Sequence, residues 1–425
     1  MSDDLLQRIQ TLQFSDKVQA ERLLRSLIRE MFPLDVVEVE LRPLAVSLNS
    51  FNGFMTLVDG ERLFFKTHTE PDSVIGEYYQ AAALADAGYP VIQPLYSSTE
   101  WGKQLLIYEM IDDPSVFDVA WEIEMGERSD LLDLQDAQNE SDDQLRDLYL
   151  DTLAEQAASD AAQAGVHQLF YHRLTGGRLA RFYGPLPGES GADVFIQLPH
   201  GIFEMKAVRR VTWEINGQRY DVSLDDLILQ AVDLLNPEQP GPAIVGHGDA
   251  HNGNVFYRES DDAHSLTYFD PAFAGRHHPL LDLTKPLFHN VFAMWMYHPN
   301  VKAKQLDIAI ASDSADLWRI THDYSLPPVR EMFFHSKVER VLIPILVELK
   351  QRGWLRGDWR TYLKAALFCC PFLTMNLTDS EKFPPTISLL GLAMAVEMGA
   401  ESQGKRSFID QTLDDIEASL YLSVG

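Results

Sequence analysis

The segment from Ala243 to Leu283 constrains the fold of this chain more than any other, because short apolar runs alternate with polar loops along it. Ala243 to Val245 is an apolar run that stops at Gly246, which predicts a short buried strand. Two further apolar runs, Asn254 to Tyr257 and Leu266 to Phe269, are separated by residues that favour turns. This order predicts a strand, a polar loop and then a β-hairpin.

Polar side chains stand where these predicted strands end. Asp249 and Asn254 lie in the loop after the first strand, and Asp270 follows the hairpin, 16 residues after Asn254. Because a hairpin returns the chain to its starting point, we expect Asp270 to lie beside Asn254 and Asp249. Their oxygens suit Mg²⁺, which proteins usually hold with one or two carboxylates and substrate phosphates.

Asp249 would then remain free to take a proton from an attacking hydroxyl. This is the division of roles in phosphoryl transfer of the protein-kinase type, in which one Asp orients the acceptor while an Asn and a second Asp hold metal. A metal-dependent hydrolase is an alternative, because His247, Asp249 and His251 form an H-x-D-x-H string and such residues bind Zn²⁺. That alternative leaves Asn254 and Asp270 without a role.

The same residues resemble a known family. His247 to Asn254 is similar to the H-G-D-x-H-x-x-N loop of the aminoglycoside phosphotransferase and choline kinase-like superfamily. The D-x4-G-x3-P-x2-D-L element that follows it in the superfamily is matched by Asp270, Gly275, Pro279, Asp282 and Leu283. The resemblance implies that Asp249 is the catalytic residue and that Asn254 and Asp270 hold Mg²⁺.

The remaining polar residues of the segment are expected to be scaffolding. We interpret His247 and His251 as hydrogen-bonded supports of the catalytic loop, and Asp282 as its brace. His277 and His278 have no role in the superfamily pattern, and we expect them at the surface or on the acceptor side.

Composition excludes several classes of partner. The chain has 63 acidic and 35 basic residues and a net charge of −28, whereas nucleic acids and anionic membranes require clustered Lys and Arg. The only cysteines are the adjacent Cys369 and Cys370, so no disulfide framework is available and the reducing cytoplasm is expected. No signal segment or membrane span is predicted, which indicates a soluble protein.

The first 111 residues predict two short helices and a strand meander. Residues 3–32 have helical periodicity that is interrupted near Ser15 and Asp16. Strands are predicted at Val36 to Val46, Phe54 to Val58, Arg62 to Lys66, Val91 to Leu95 and Gln104 to Tyr108.

Lys66 closes the third of these strands, and the next element is a predicted helix that carries Glu77 and ends at Gly88. In kinases, a strand lysine paired with a helix glutamate holds the α- and β-phosphates of the nucleotide. We therefore expect Lys66 to pair with Glu77, and Glu70 is the alternative partner.

The resemblance also implies further nucleotide contacts. The link from Ser47 to Gly53 occupies the position of a phosphate-covering loop, although it departs from G-x-G-x-x-G, and Ser50 and Gly53 are its candidate contacts. The exit of the fifth strand corresponds to the hinge, where the Glu109 carbonyl and the Ile111 amide are expected to take the adenine edge.

The segment 113–242 is longer than a minimal kinase-like layout needs. From Asp112 to Asp160 there are 16 acidic and 2 basic residues, which predicts solvated helices with a mobile link at Gln138 to Asp143. Four alternating runs between Val194 and Val222, with an Asn216-Gly217 turn, predict a small inserted antiparallel sheet. Ser223 is expected to begin a helix. After Leu283 the whole chain is predicted to be helical.

The predicted fold is α+β and kinase-like, with a nucleotide-binding lobe at 1–111 and a mainly helical catalytic and acceptor-binding lobe at 112–425. ATP or GTP is expected between them with Mg²⁺. The predicted activity is phosphorylation of a hydroxyl on a small molecule such as an aminoglycoside, amino sugar, sugar or amino alcohol. A catalytically inactive pseudokinase or binding module is the non-enzyme alternative.

The inserted sheet has two competing interpretations. It either forms a lid of the acceptor pocket, with Arg173, Arg178 or Arg181 as hydrogen-bond donors, or it packs against the acidic segment or makes a homodimer contact.

Overall fold

The computed structural model describes residues 5–42, 50–68, 80–98, 100, 102–260, 263–314 and 316–422. The chain forms two compact units: unit 1 is Met1–Pro114 with Thr267–Ala272, and unit 2 is Ser115–Leu266 with Phe273–Gly425. Helices are mixed with largely antiparallel sheets, which confirms the α+β class. The assignment of a nucleotide-binding lobe to 1–111 and of a catalytic lobe to 112–425 stays a prediction.

Two helices open unit 1 at Leu5–Ser15 and Lys17–Met31. They separate at Asp16, whose side chain accepts a hydrogen bond from the Gln19 amide at 3.1 Å and so caps the second helix. Their apolar faces belong to one core with the following strands. The predicted pair of helices is confirmed in residues 5–31.

The sheet of unit 1 has the order β1-β2-β3-β5-β4, and all of its pairs are antiparallel. Its strands are β1 Val36–Leu41, β2 Ser50–Leu57, β3 Arg62–His68, β4 Tyr96–Ser98 and β5 Leu105–Glu109. Residues 80–86 are helical, and the predicted stop follows at Gly88, which has φ 99°.

The strand predicted at Val91 to Leu95 is wrong in position. Val91 makes only a single bridge, to Tyr268, and the strand begins at Tyr96. The cause lies in Pro90 and Pro94, because proline has no amide hydrogen to donate to a β-ladder.

Gly53 lies inside β2 rather than in a loop between strands, so its predicted location is wrong. A Cβ atom at Gly53 would lie 2.0 Å from the carbonyl oxygen of Glu40 and 2.8 Å from the ring of Phe65. The glycine therefore permits close strand packing. Ser50 begins the same strand, and most of the predicted phosphate-covering link lies outside the described residues.

Unit 2 is mainly helical. Its longer helices are Val116–Glu124, Leu131–Thr152, Leu224–Leu234, Pro279–His289, Pro328–Lys337, Ile343–Gln351, Trp359–Leu373, Pro385–Gly399 and Phe408–Leu422. Shorter helical segments are Ala158–Ala161, Gly165–Leu169, Tyr171–Thr175, Arg178–Tyr183, Met205–Val208, Asn252–Asn254, Met294–Tyr297, Pro299–Gln305 and Val338–Leu342. Among the described helices, none combines the length and hydrophobicity needed to cross a membrane.

The strands of unit 2 form several small sheets. They are β6 Ala154–Gln156, β7 Phe195–Leu198, β8 Gly201–Glu204, β9 Thr212–Ile215, β10 Gln218–Tyr220, β11 Gly241–Gly246, β12 Val255–Ser260, β13 Ala263–Tyr268 (whose last two residues belong to unit 1), β14 Gly275–His277, β15 Ile308–Asp313, β16 Leu317–His322 and β17 Gln403–Gly404. The order β14-β11-β6 places β11 centrally, and β12 pairs with β13 as the predicted hairpin.

The inserted sheet is only partly as predicted. β7 and β8 form an isolated hairpin, and Met205–Val208 is helical rather than extended. β9 and β10 meet at the Asn216-Gly217 turn but belong to a larger sheet, β15-β16-β9-β10-β17, in which β9 pairs parallel to β16. This sheet joins the insert to the C-terminal part of unit 2.

Two other expectations are wrong. The region after Leu283 is not wholly helical, because β15 and β16 lie within it. The link expected at Gln138 to Asp143 lies inside the continuous Leu131–Thr152 helix. Asp142 is fully buried there, accepts a hydrogen bond from Ser336 Oγ at 2.7 Å and pairs with Lys337, so this acidic segment has a packed face.

Candidate active site

The polar loop after β11 is held in a tight conformation by its glycines. Gly248 has φ 80°, and a Cβ atom there would lie 2.4 Å from the carbonyl oxygen of Phe273. His247, just before it, is fully buried. Only glycine fits this left-handed position beside another backbone segment, so the sequence fixes the path of the loop locally.

Asp282 joins this loop to the helix Pro279–His289. Its carboxylate accepts hydrogen bonds from the backbone amide of Gly248, from the Tyr149 hydroxyl and from His277 Nε2, the last at 2.8 Å. Burial would raise the pKa of Asp282, but the hydrogen bonds and the charge of His277 hold it below its ordinary value. This is the geometry of an ionised brace for the loop.

His277 is buried, so its expected surface location is wrong, whereas His278 is partly exposed. The alternative location on the acceptor side stays a prediction. His277 is 2% exposed and donates to Asp282. His278 precedes the helix Pro279–His289, and its Nδ1 accepts a hydrogen bond from the Leu280 amide at 3.2 Å, which caps the helix. Burial lowers the pKa of His278 to about 3.

The turn Asn252–Asn254 follows Asp249. His251 Nδ1 accepts a hydrogen bond from the Gly253 amide at 3.1 Å and so caps this turn. The Asn254 side-chain amide donates to the backbone carbonyl of Asp249 at 3.0 Å. The amide oxygen of Asn254 accepts no hydrogen bond from a described residue, which leaves it available as a ligand.

Positive charge surrounds the carboxylate of Asp249. Lys285 Nζ lies 3.5 Å from Asp249 Oδ1, and His251 Nε2 lies 4.0 Å from the same atom. Burial would raise the pKa of Asp249, but Lys285, His251, His247 and Arg173 together lower it below its ordinary value. Asp249 is therefore ionised at neutral pH.

Neither carboxylate oxygen of Asp249 accepts a hydrogen bond from any residue that the structure describes, and Oδ1 is buried. A buried carboxylate without a donor costs free energy, typically about 1–3 kcal/mol and more when it is charged. A ligand hydroxyl would supply the missing donor.

The sequence reasoning missed the residues on the far side of Asp249. Lys285 and His289 lie on the helix Pro279–His289, with Lys285 Nζ 3.4 Å from His289 Nε2. The Tyr297 hydroxyl contacts His289 Nδ1 at 2.9 Å, and Thr374 Oγ1 lies 3.4 Å from His289 Nε2. Lys285 is 2% exposed, and a lysine in the middle of a buried helix was the one available sequence signal.

Arg173 also contributes to the charge around Asp249, because it helps to lower the pKa of that carboxyl. The role of Arg173, Arg178 or Arg181 as hydrogen-bond donors in an acceptor-pocket lid stays a prediction. The Arg173 guanidinium donates a hydrogen bond to Thr374 Oγ1 at 3.4 Å, and burial lowers its pKa. Arg178 instead donates to the Leu373 carbonyl, and Arg181 lies over the ring of Phe182. Only Arg173 therefore contributes to the charge around Asp249.

Unit 1 brings together two of the predicted residues, Lys66 and Asp270. Lys66 Nζ lies 2.9 Å from Asp270 Oδ1, with the two side chains 20% and 43% exposed. Asp270 follows β13 with a φ of 55°, a left-handed conformation that is uncommon outside glycine. The expected partners Glu77 and Glu70 lie outside the described residues.

The remaining predicted residues lie as follows. Glu109 is the last residue of β5 and is exposed, and Ile111 follows it at an intermediate exposure. Asp270 belongs to unit 1, whereas Asp249 and Asn254 belong to unit 2. The expected gathering of these three residues stays a prediction.

The donors suit the metal implied by the resemblance. Asp270 offers a carboxylate that is partly exposed, and Asn254 offers an amide oxygen, both hard oxygen ligands of the kind that Mg²⁺ prefers. Within the described residues, no group of three or more His, Cys, Asp or Glu side chains is placed to share a metal ion, and this finding covers the H-x-D-x-H string.

Comparison with known proteins gave the following results. No family model matches the chain, and no curated protein matches it. Among solved structures, it is similar to a spectinomycin phosphotransferase bound to ADP and spectinomycin, with 13% identity, coverage of 88% of this chain and 98% of that one, and a TM-score of 0.41.

An amicoumacin kinase in complex with AMP-PNP and Ca²⁺ shares 13% identity over 91% of this chain and 96% of its own, with a TM-score of 0.44. A fructosamine-3-kinase from Thermobifida fusca shares 15% identity over 88% of this chain and 98% of its own, with a TM-score of 0.39. All three TM-scores are below 0.5, so neither the fold nor the activity of these proteins is transferred to this chain. The chain thus resembles the aminoglycoside phosphotransferase and choline kinase-like superfamily in its catalytic loop and is similar to solved structures of aminoglycoside phosphotransferases.

Proposed function

We propose that this chain is a small-molecule kinase that transfers the terminal phosphoryl group of ATP, or of GTP, to a hydroxyl of its acceptor. The observation that carries the proposal is the state of Asp249: its carboxylate is ionised, partly enclosed and without a hydrogen-bond donor among the described residues. A carboxylate in this state can accept the proton of an acceptor hydroxyl. Fixed in a braced loop, it can also orient that hydroxyl toward the phosphorus atom.

The brace supports this assignment because positioning dominates phosphoryl transfer. The Asp282 carboxylate accepts hydrogen bonds from the Gly248 amide, the Tyr149 hydroxyl and His277. The Asn254 side-chain amide donates a hydrogen bond to the Asp249 backbone carbonyl. Asp249 is therefore held on both sides by contacts that do not use its own carboxylate. A displacement of about 1 Å in such a group can lower a rate by about 10²-fold.

The proposal assigns the donor side to Lys66, Asp270 and Asn254. Asp270 and Asn254 would hold Mg²⁺, which when bound neutralises charge on the transferred phosphoryl group. Lys66, already within 2.9 Å of Asp270, would hold the phosphates of the nucleotide. The backbone at Glu109 and Ile111 would take the base, and Glu77, Ser50 and Gly53 remain candidate contacts. A kinase-like two-lobe layout and a cytoplasmic location belong to the same proposal.

Local charge bears on the acceptor. The net charge of −28 favours a cationic acceptor at long range. Next to Asp249, however, Lys285 and Arg173 supply two positive charges, and burial keeps the pKa of His289 well below its ordinary value, so that ring is neutral. Aminoglycosides, amino sugars, neutral sugars and amino alcohols therefore all remain within the proposal.

The proposal is tested by incubating the purified full chain with MgATP or MgGTP and a panel of these acceptors. The readouts are nucleoside diphosphate release and the mass of the acceptor. We expect at least one acceptor to gain one phosphoryl group. If the chain binds MgATP but phosphorylates none of a broad panel, the pseudokinase alternative is supported, and zinc-stimulated hydrolysis instead would support the hydrolase.

A further inference from the structure

Unit 2 contains a cavity of about 290 Å³ that shares none of the residues placed around Asp249. It lies where the end of β16 and the Asn216 turn meet the helix Pro385–Gly399. Its walls are mostly apolar, and the aromatic and methionine side chains among them are Phe292, Tyr324, Phe408, Met394 and Met398. Its polar lining residues are Asn216, Gln218, His322, Ser325, Glu331, Glu397 and Ser407. Apolar and aromatic walls with polar groups placed among them are the usual form of a small-molecule site.

Two carboxyl-bearing residues, the buried Glu397 and the exposed Glu331, line this cavity. Glu397 is 8% exposed, and its side chain accepts no hydrogen bond from any described residue. His322 Nε2 lies 3.9 Å from Glu397 Oε2, which is too far for a hydrogen bond. Met394, Glu397 and Met398 are spaced so that they share one face of their helix. The carboxyl is thus presented to the cavity between two apolar side chains.

The aromatic wall is built from contacts within unit 2. The ring of Phe292 lies 6.1 Å from that of Phe408 in an edge-on arrangement, and Phe408 lies 4.9 Å from Phe334. The Tyr324 hydroxyl donates to the Phe292 carbonyl at 3.0 Å, which fixes the Tyr324 ring. Phe408 is 44% exposed, so an aromatic face remains open at this cavity.

We infer that this cavity is a binding site for an organic cation, in which Glu397 pairs with an ammonium group and the aromatic and methionine walls cover its apolar body. Aromatic faces attract cations, and methionine side chains adapt to irregular ligands. A buried carboxylate that accepts no hydrogen bond is stabilised most by a positively charged hydrogen-bond donor. The net charge of −28 also concentrates cations at the surface of the protein. The lining of the cavity includes none of the residues placed around Asp249.

The groups that face Glu397 define its protonation. Burial is the largest cause that raises the pKa of Glu397 to about 7. The positive charge of Lys364 opposes this rise, and the negative charge of Asp410 adds to it. His322 is uncharged, because burial lowers its pKa to about 4. Burial raises the pKa of the Tyr220 hydroxyl, and the charge of Glu397 adds to this rise. Glu331 lines the cavity at an exposed position. An ammonium ligand should therefore bind more tightly as the pH rises through about 7.

The test compares two probes of nearly equal shape, 2-phenylethylammonium and the neutral 2-phenylethanol, by calorimetric titration of the full chain without nucleotide. At pH 8 we expect the ammonium to bind about tenfold or more tightly than the alcohol, the range of a charge-assisted hydrogen bond. Glu397→Gln should bring the two affinities to within about threefold. Equal affinities in the unchanged protein, or no binding of either probe, would overturn the inference.

Two further variants make the result specific. Glu331→Gln removes the same charge from an exposed position on the same cavity and should keep the preference for the ammonium. If Glu331→Gln also lost the preference for the ammonium, the preference would come from the general negative charge of the cavity. That result would contradict a pairing with Glu397. Phe408→Ala should weaken both probes while keeping the preference, which gives a result even if Glu397→Gln does not fold.

A last control separates this site from the proposed catalytic site. Asp249→Asn should leave the affinity for 2-phenylethylammonium unchanged, because Asp249 does not line the cavity. If Asp249→Asn abolishes binding, the cation occupies the site at Asp249 and the inference is wrong. Binding of the probe that depends on Glu397 would stand whether or not the chain phosphorylates any acceptor.

Discussion

Lys66 Nζ lies 2.9 Å from Asp270 Oδ1, although 204 residues separate them in the chain. The sequence predicts Lys66 as a phosphate-binding lysine and Asp270 as a metal ligand, so each is expected to contact a different partner. Their pairing shows that β3 and the residues after β13 present opposite charges to each other within unit 1. Bound Mg²⁺ and phosphate would redistribute this pair, with the metal taking the carboxylate and the phosphates taking the lysine.

The first prediction concerns this pair. Because both side chains are partly exposed, Lys66→Met and Asp270→Asn should each change the free energy of unfolding by less than about 1 kcal/mol. Each should nevertheless weaken MgATP binding markedly, as measured by calorimetry. Lys103→Met, which removes a partly exposed lysine of the same unit, is the matched control. Unchanged MgATP affinity in both pair variants would remove these residues from the nucleotide site.

The second prediction concerns the pH dependence of the reaction. Lys285 lowers the pKa of Asp249, so Lys285→Met should raise that pKa and move the acid limb of the kcat/KM profile to higher pH. The conservative Lys285→Arg should move the limb less. A pH profile that is unchanged in Lys285→Met would mean that Asp249 does not set the acid limb.

The third prediction concerns the brace. Tyr149→Phe removes one of the donors to the buried Asp282 carboxylate, which should cost about 1.5–3 kcal/mol in urea denaturation. The folded-state pKa of Asp282 is lowered, so its contribution is present above the ordinary carboxyl pKa and is lost as the pH falls through the folded value. Because Tyr149→Phe raises the folded-state pKa, the contribution of Asp282 should be smaller in the variant and its loss should be complete at a higher pH. Tyr171→Phe removes a hydroxyl that makes no hydrogen bond to a described residue, and it should have little effect.

The fourth prediction concerns the acidic segment. Asp142→Ala leaves Lys337 buried without its carboxylate and should destabilise the protein by about 3–5 kcal/mol. Asp136→Ala, an exposed aspartate on the same helix, should change stability by less than about 0.5 kcal/mol. Similar effects of the two substitutions would mean that the segment is a solvated surface helix, as the sequence alone had suggested.

Much of the local structure was predictable because its signals are local. Asp16 caps the second helix, Ser223 and Asp226 form a reciprocal capping box, and Asn216-Gly217 makes a hairpin turn with φ values of 52° and 81°. Each of these features depends on residues within four positions of one another. The strand, loop and hairpin around Asp249 were found for the same reason.

The errors arose where distant residues decide the structure. β16 pairs in parallel with β9, about a hundred residues earlier, and this pairing turned a segment assigned to a helix into a strand. Its alternation of buried Trp318 and Ile320 with exposed neighbours was the overlooked signal. Likewise, nothing near Asp249 in sequence indicated that Arg173 would contribute to its charge.

The most direct test of the central claim is the turnover of Asp249→Asn on an acceptor found in the panel. If Asp249 orients and deprotonates the hydroxyl, kcat should fall by about 10²- to 10⁴-fold, while the affinity for MgATP should stay within about twofold of the unchanged protein. Asp233→Asn, which makes the same change at an exposed position, should retain full activity. A kcat for Asp249→Asn close to that of the unchanged protein would contradict the account.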